Sequence, residues 1–183
     1  MIGIHNIRNA TAAISLAFTI GLPEKCIKAG LYNFKGVQRR FSHLFDYNKI
    51  SFYDDYAHHP TEISSVLSGV EKVYKNKEIV CVFQPHRISR VISLKKEFSK
   101  CFKKADTVLL CPIYTANEKL RLNFTYHSFA KLIIKNSNVR LIQVEDELQL
   151  QKFIKQNVFG EKIYIGMGAG SISNWMKNLK NIF

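Results

Sequence analysis

Two short stretches concentrate the side chains that could do chemistry. Asp54-Asp55-Tyr56-Ala57-His58-His59 places two carboxylates, a phenol and two imidazoles in six residues and runs into Pro60-Thr61, a helix start. Polar groups are not gathered this densely for packing alone, although a hydrogen-bond cluster that caps the helix is the plainer alternative. A metal site built from Asp54, His58 and His59 is disfavoured, because adjacent histidines rarely point the same way, and no metal ligand is assigned. The second stretch, Gln84-Pro85-His86-Arg87 followed by Arg90, sets two guanidinium forks one helical turn apart beside an imidazole. Near the positive end of a helix such a pair suits a carboxylate or a phosphate. Pairing with Glu97 or another exposed acid is the alternative, but an arginine pair without an acidic neighbour favours the anion site.

Two further stretches are weaker. Gly166-Met167-Gly168-Ala169-Gly170 has the look of a dinucleotide fingerprint, yet nothing after it continues as strand, helix and acidic residue, so a tight turn that lets neighbouring loops approach is the better reading. Arg39-Arg40 reads equally well as a solvated pair or as cations reaching over a nucleotide. No GxxxxGK[ST] occurs, so these residues include no phosphate-binding loop.

The elements that must position these residues follow from periodicity. An Ala-rich stretch over 6–20, stopped by Gly21, predicts a helix, and Pro23 opens a second short one, making a helical hairpin. Residues 33–40 read as a linker. Strands over 41–46 and 49–53 pair across a turn at Tyr47-Asn48. Thereafter helices over 61–74, 89–104, 126–134, 146–156 and 171–179 alternate with strands over 78–83, 107–111, 139–144 and 162–165, which predicts an α/β domain with a mostly parallel sheet and flanking helices. In such sheets ligands bind beyond the carboxyl ends of the strands. The residues singled out above, with Pro112-Ile113-Tyr114, fall in those loops.

Composition narrows the remaining classes. With 183 residues and 46% hydrophobic side chains against 9 Gly and 4 Pro, the chain can build a core and is not a disordered or collagenous segment. Its longest apolar runs, such as Ile79 to Phe83, fall short of the ~20 residues of a bilayer span. The start has no leader pattern, and the four dispersed cysteines read as reduced core thiols, which predicts a cytoplasmic protein that does not engage a membrane. The net charge of +13 comes from scattered lysines without an arginine-rich arm or aromatic RNA motif, so it reads as a generic basic surface and no nucleic-acid partner is drawn from it.

Taken together the motifs resemble the Mur ligases, amide-forming enzymes of peptidoglycan synthesis, and within them the branch that joins L-alanine to UDP-N-acetylmuramate. The resemblance rests on Gly3 to Ala10 (GIHNIRNA), Phe34 to Phe41 (FKGVQRRF), Asp54 to Glu62 (DDYAHHPTE), Phe83 to Arg90 (FQPHRISR), Ile113-Tyr114 with Ala116 and Glu118, and Gly166 to Ile172. It implies that residues 1–36 are the end of a central ATPase domain and 37–183 a Rossmann-like carboxyl-terminal domain. It also implies ATP and Mg²⁺ as requirements of the complete enzyme, which activates the muramate carboxylate as an acyl phosphate for attack by the alanine amine. His5, Asn6, Asn9, Arg40 and Asp55 would then border the nucleotide; Tyr56, His58 and His86 would line the amino-acid pocket, with Arg87 and Arg90 on its carboxylate. No catalytic residue in the narrow sense is assigned. Ser171 stands where the family usually has an acid, which alters one local hydrogen bond. By this resemblance the chain alone is inactive, and a separate polypeptide with the amino-terminal and central domains is an expected partner. The alternatives are a fragment of the related ligase that recycles a tripeptide, and a non-catalytic domain binding an anion or a protein.

Overall fold

The computed structural model describes residues 4–119 and 125–183. Helix α1 (Ile4–Thr19) ends at Gly21, whose φ of +79° lets the Gly21 and Leu22 amides close back on Phe18 and Ala17 carbonyls. Pro23 precedes α2 (Glu24–Asn33). Strands β1 (Ser42–Tyr47) and β2 (Ile50–Asp55) form an antiparallel hairpin. Its turn is Asn48-Lys49, one residue later than predicted, because Asn48 is the residue that accepts positive φ, at +54°.

The rest alternates as α3 (Pro60–Val73), β3 (Glu78–Phe83), α4 (Ile88–Ser93), α5 (Lys95–Phe98), β4 (Thr107–Leu110), α6 (Tyr126–Ser137), β5 (Arg140–Gln143), α7 (Glu147–Gln156), β6 (Lys162–Met167) and α8 (Ile172–Asn178), with a closing 3-10 turn at Leu179–Ile182. The sheet order is β1-β2-β6-β3-β4-β5, and every pairing but β1 with β2 is parallel. This is the α/β architecture with a mostly parallel sheet read from the sequence. Its central strands are apolar runs because both faces are covered. Cys81 and Phe83 of β3 face one core with Ile63, Leu67, Phe102, Phe129 and Ile133, while Val80 and Val82 face another with Leu150, Ile154, Ile172 and Met176.

Two expectations are corrected. The single helix over 89–104 is broken at Leu94 into α4 and α5, and turns follow to residue 104. The turns after α5 are held by α6: the buried Ser137 hydroxyl donates to the Ser99 carbonyl at 2.7 Å and accepts from the Phe102 amide at 3.3 Å, satisfying backbone groups that the end of the helix leaves open. And only Cys81, Cys101 and Cys111 are buried thiols, since Cys26 lies exposed on α2.

The hairpin α1–α2 rides on the domain rather than in it. No residue of α2 is buried, and Ile7, Leu16, Phe18, Ile20, Leu31 and Phe34 are all exposed. Among the described residues no helix is long and apolar enough to cross a membrane.

Candidate functional site

The strand order builds the site. After β5 the chain returns through α7 and lays β6 between β2 and β3, so the loops after β2, β6, β3 and β4 stand side by side at one edge of the sheet. Hydrogen bonds fasten each to the next. The Gly168 amide donates to the Asp55 carbonyl, and the Gln84 amide to that of Met167. The Tyr114 amide donates to the Pro85 carbonyl, and the Arg87 amide, two residues on, donates back to the Tyr114 carbonyl. The glycines of the β6 loop allow this approach: a Cβ on Gly168 would lie 2.7 Å from the Gln84 carbonyl, and one on Gly170 only 2.6 Å from the Tyr114 ring. Ser171 takes a hydrogen bond from the Gln84 amide nitrogen at 3.0 Å, while the same side chain's oxygen accepts from the Ile172 amide.

The first loop divides its labour. His59 caps α3: its Nδ1 accepts from the Thr61 amide, and Glu62 Oε2 accepts from the His58 and His59 amides at 3.1 and 3.2 Å. Part of the cluster is thus the helix cap weighed from sequence, and the Glu62 half of it was not foreseen. Asp54 is buried at 1% exposure; it accepts from the Ser173 hydroxyl at 2.6 Å and has Arg39 Nε 3.3 Å away, too poorly aligned for a hydrogen bond. Asp55 accepts from the Phe41 and Ala57 amides, both at 2.7 Å. Burial nonetheless pushes its carboxyl above the ordinary value, those amides and Arg40 acting against it.

Arg39 and Arg40 part company. Arg39 turns inward: its Nη2 donates to the Gly168 carbonyl at 2.6 Å and its guanidinium lies over the Tyr56 ring at 4.8 Å. Arg40 faces a cleft of about 320 Å³ that it shares with Asn6, Asn9, Asp55, Thr61, Glu62 and Ser65. Four residues expected beside a nucleotide therefore meet on one cleft; His5 lies in α1, but its side chain is outside the described residues. A second, more apolar groove of about 580 Å³ adjoins it between α1, α2 and the linker, with Ile7, Ala10, Leu31 and Phe34 in its walls.

The other half of the site is an aromatic row. Tyr56 meets His58 edge-on at 5.0 Å, His58 meets His86 at 5.9 Å, and His86 stacks on Tyr114 at 5.4 Å and 10°. Tyr114 was placed in a chemistry-bearing loop from sequence but not counted as a site residue. Burial, then Arg90, His58 and Arg87, hold His86 below the ordinary histidine pKa, so it is neutral at pH 7. Its Nδ1 and Arg90 Nη1 are buried without a hydrogen-bond partner. Among the described residues neither Arg87 nor Arg90 has an ion-pair partner, Glu97 included. Buried polar groups are almost always satisfied, so this corner can take up a ligand with acceptor oxygens.

A sheet of this order, with paired basic and aromatic loops at its carboxyl edge, places the chain in a family of ligase domains: the profile described as Mur ligase, glutamate ligase domain, matches residues 39–169, and the chain belongs to that family. Its close relatives are alanine-adding members. It is 63% identical over 182 residues to the UDP-N-acetylmuramate–L-alanine ligase of Pelagibacter ubique (strain HTCC1062), a match covering 100% of this chain and 39% of that protein. The enzyme of the same name from Bartonella tribocorum (strain CIP 105476 / IBS 506) is 39% identical over 178 residues, covering 96% of this chain and 37% of the relative. The crystal structure of UDP-N-acetylmuramate-alanine ligase from Thermotoga maritima superposes with a TM-score of 0.75 at 29% identity, over 99% of this chain and 38% of that one. A murein peptide ligase from Psychrobacter arcticus, at 23% identity and a TM-score of 0.72 over 100% of this chain and 37% of its own, shares the fold. The chain therefore spans about two fifths of the length of the curated relatives it matches.

Proposed function

We propose that this chain is the carboxyl-terminal portion of an ATP-dependent ligase that joins L-alanine to UDP-N-acetylmuramate in peptidoglycan synthesis, working in the cytoplasm. Residues 1–36 are the end of its ATPase domain and 37–183 the domain that presents the amino acid. The observation that carries the reading is the arginine corner: among the described residues Arg87 and Arg90 have no acidic partner, and Arg90 Nη1 and His86 Nδ1 are buried and unsatisfied beside the Tyr56–His58–His86 row. A free amino acid brings the carboxylate that such a pair holds in charge-assisted hydrogen bonds. Held by that end, the amine is aimed at the activated muramate carboxylate, and fixed orientation is a large part of the acceleration in such couplings. Tyr56, His58 and His86 wall the space for a small side chain.

ATP would lie with one side along the Asn6–Asn9–Arg40–Asp55 cleft, which offers two amides and a cation to a nucleotide and fits that role. ATP supplies the phosphoryl group that activates the carboxylate, and Mg²⁺ accompanies it; the loop that grips the phosphates must come from elsewhere, since the sequence has no GxxxxGK[ST]. The bare apolar face of α1 and α2 supports the same reading, because contiguous exposed apolar surface marks a missing partner surface. A separate polypeptide carrying the remaining three fifths of the relatives' length would cover it.

The test is a coupled ATPase and ligation assay with UDP-N-acetylmuramate and L-alanine, on this chain alone and mixed with a polypeptide carrying the missing part. Activity only in the mixture, abolished by Arg87→Ala, is the expected result. A folded chain that stays silent in the mixture overturns it.

A further inference from the structure

The arginine pair sits on an unusual support. Arg87 is the residue before α4 and has φ +68° and ψ 128°, a conformation that a bulky residue holds only where its surroundings impose it. It makes no side-chain cap for α4, which has only six residues. The cap comes instead from the loop after β4. Glu118 Oε2 accepts from the Ser89 amide at 2.9 Å, and Glu118 Oε1 from the Ser89 hydroxyl at 2.7 Å. The same loop grips the strand end on the other side of Arg87, through the mutual backbone bonds of Tyr114 with Pro85 and Arg87 and the stacking of Tyr114 on His86.

We propose that Glu118 is a positioning residue for the arginine pair: through Ser89 it fastens the start of α4, so that Arg87 and Arg90 present their forks in one fixed geometry without being neutralised. The second half of that statement follows from how its oxygens are used. The Glu118 charge acts on His86 and that of Arg87 acts on Glu118, yet both Glu118 oxygens are committed to Ser89 and among the described residues neither reaches an arginine within ion-pair distance. An acid placed only to solubilise this corner would sit on the guanidinium groups and compete with an incoming carboxylate. This one fixes the arginines and leaves their charge available.

The inference rests on the amino-acid reading for its consequence but is tested separately from it. The full chain, with Glu118→Ala, Glu118→Gln and Arg87→Ala variants, is followed by NMR for exchange of the Ser89 amide and for the Arg87 and Arg90 Nε–H signals during titration with L-alanine. Glu118→Ala should speed Ser89 exchange and weaken L-alanine binding about tenfold, the scale of losing a charge-assisted hydrogen bond, with the melting temperature of the domain little changed. Glu118→Gln keeps one acceptor oxygen and should recover part of the affinity, which a role in bulk charge alone would not allow. In the complemented ligation assay the loss should appear in KM for L-alanine rather than in kcat. Unchanged L-alanine affinity in Glu118→Ala, where the parent chain binds, overturns the proposal. If neither the parent nor Arg87→Ala responds to L-alanine, the amino-acid reading is what fails. Glu118 is then judged on the arginine signals: a change in Glu118→Ala supports the brace, and no change overturns it.

Discussion

His86 sits among cationic neighbours, and its environment makes a pH prediction. Burial and the neighbouring Arg90, His58 and Arg87 lower its pKa in the folded chain. Between that lowered value and the ordinary ~6.5, the unfolded chain binds a proton that the native one refuses, so stability rises with pH across this window and falls as pH drops below about 6.5. Urea melts at pH 7.5 and pH 5 should show the parent losing more stability than His86→Gln; equal losses would place the imidazole outside this cationic cluster. A second residue-scale prediction concerns Arg39. Its removal leaves Asp54 at 1% exposure with only the Ser173 hydroxyl, and Arg39→Ala should destabilise the domain by about 3 kcal/mol, read as a shifted denaturant midpoint. The sequence could not separate Arg39 from Arg40, because the two are adjacent and alike. What separates them is backbone: positive φ at Arg39 and Phe41 turns one guanidinium onto Tyr56 and leaves the other on the cleft. Likewise Arg87 and Arg90 were visible as a pair from their spacing, whereas Glu118, 28 residues beyond Arg90, becomes their brace only through the pairing of β3 with β4.

At the scale of elements, alternation and the carboxyl-edge rule were enough to name the loops, since they depend only on which runs are strands. Sheet order was not legible, because apolar runs such as those of β3 and β6 carry no label for their neighbours; yet it is the insertion of β6 between β2 and β3 that brings Gly168 against Gln84. The break between α4 and α5 was invisible for a related reason. Val91, Phe98 and Phe102 keep helical spacing across it, and the group that holds the turns ending the helix early, at residues 99–102, sits 35 or more residues away on α6. Ser137→Ala should strip a buried amide and a carbonyl of their partner, costing about 1–3 kcal/mol. Faster amide exchange confined at first to residues 99–102 would be its signature, and uniform loosening of the whole sheet would contradict it.

Across the whole molecule, stability resides in the domain rather than in the hairpin. The two cores on either face of the sheet hold the domain together, and the hairpin contributes no fully buried side chain among those described. Replacing Leu16 with Asp and Phe34 with Ser should therefore change the melting temperature little, each within about 0.5 kcal/mol, while abolishing association with the polypeptide proposed to supply the ATPase domain. Melting curves and co-purification would read the two effects apart, and a large drop in melting temperature would mean that the hairpin is integral to the domain. The distribution of thiols makes that docking easy to watch. Burial keeps Cys81 and Cys101 protonated and pushes the Cys111 thiol up to about 12, so none of the three offers a thiolate to a reagent at neutral pH. Cys26, exposed on α2, is the remaining one. A maleimide dye would label the native chain at that single place, without mutagenesis, and report from the surface where the proposed partner polypeptide would dock.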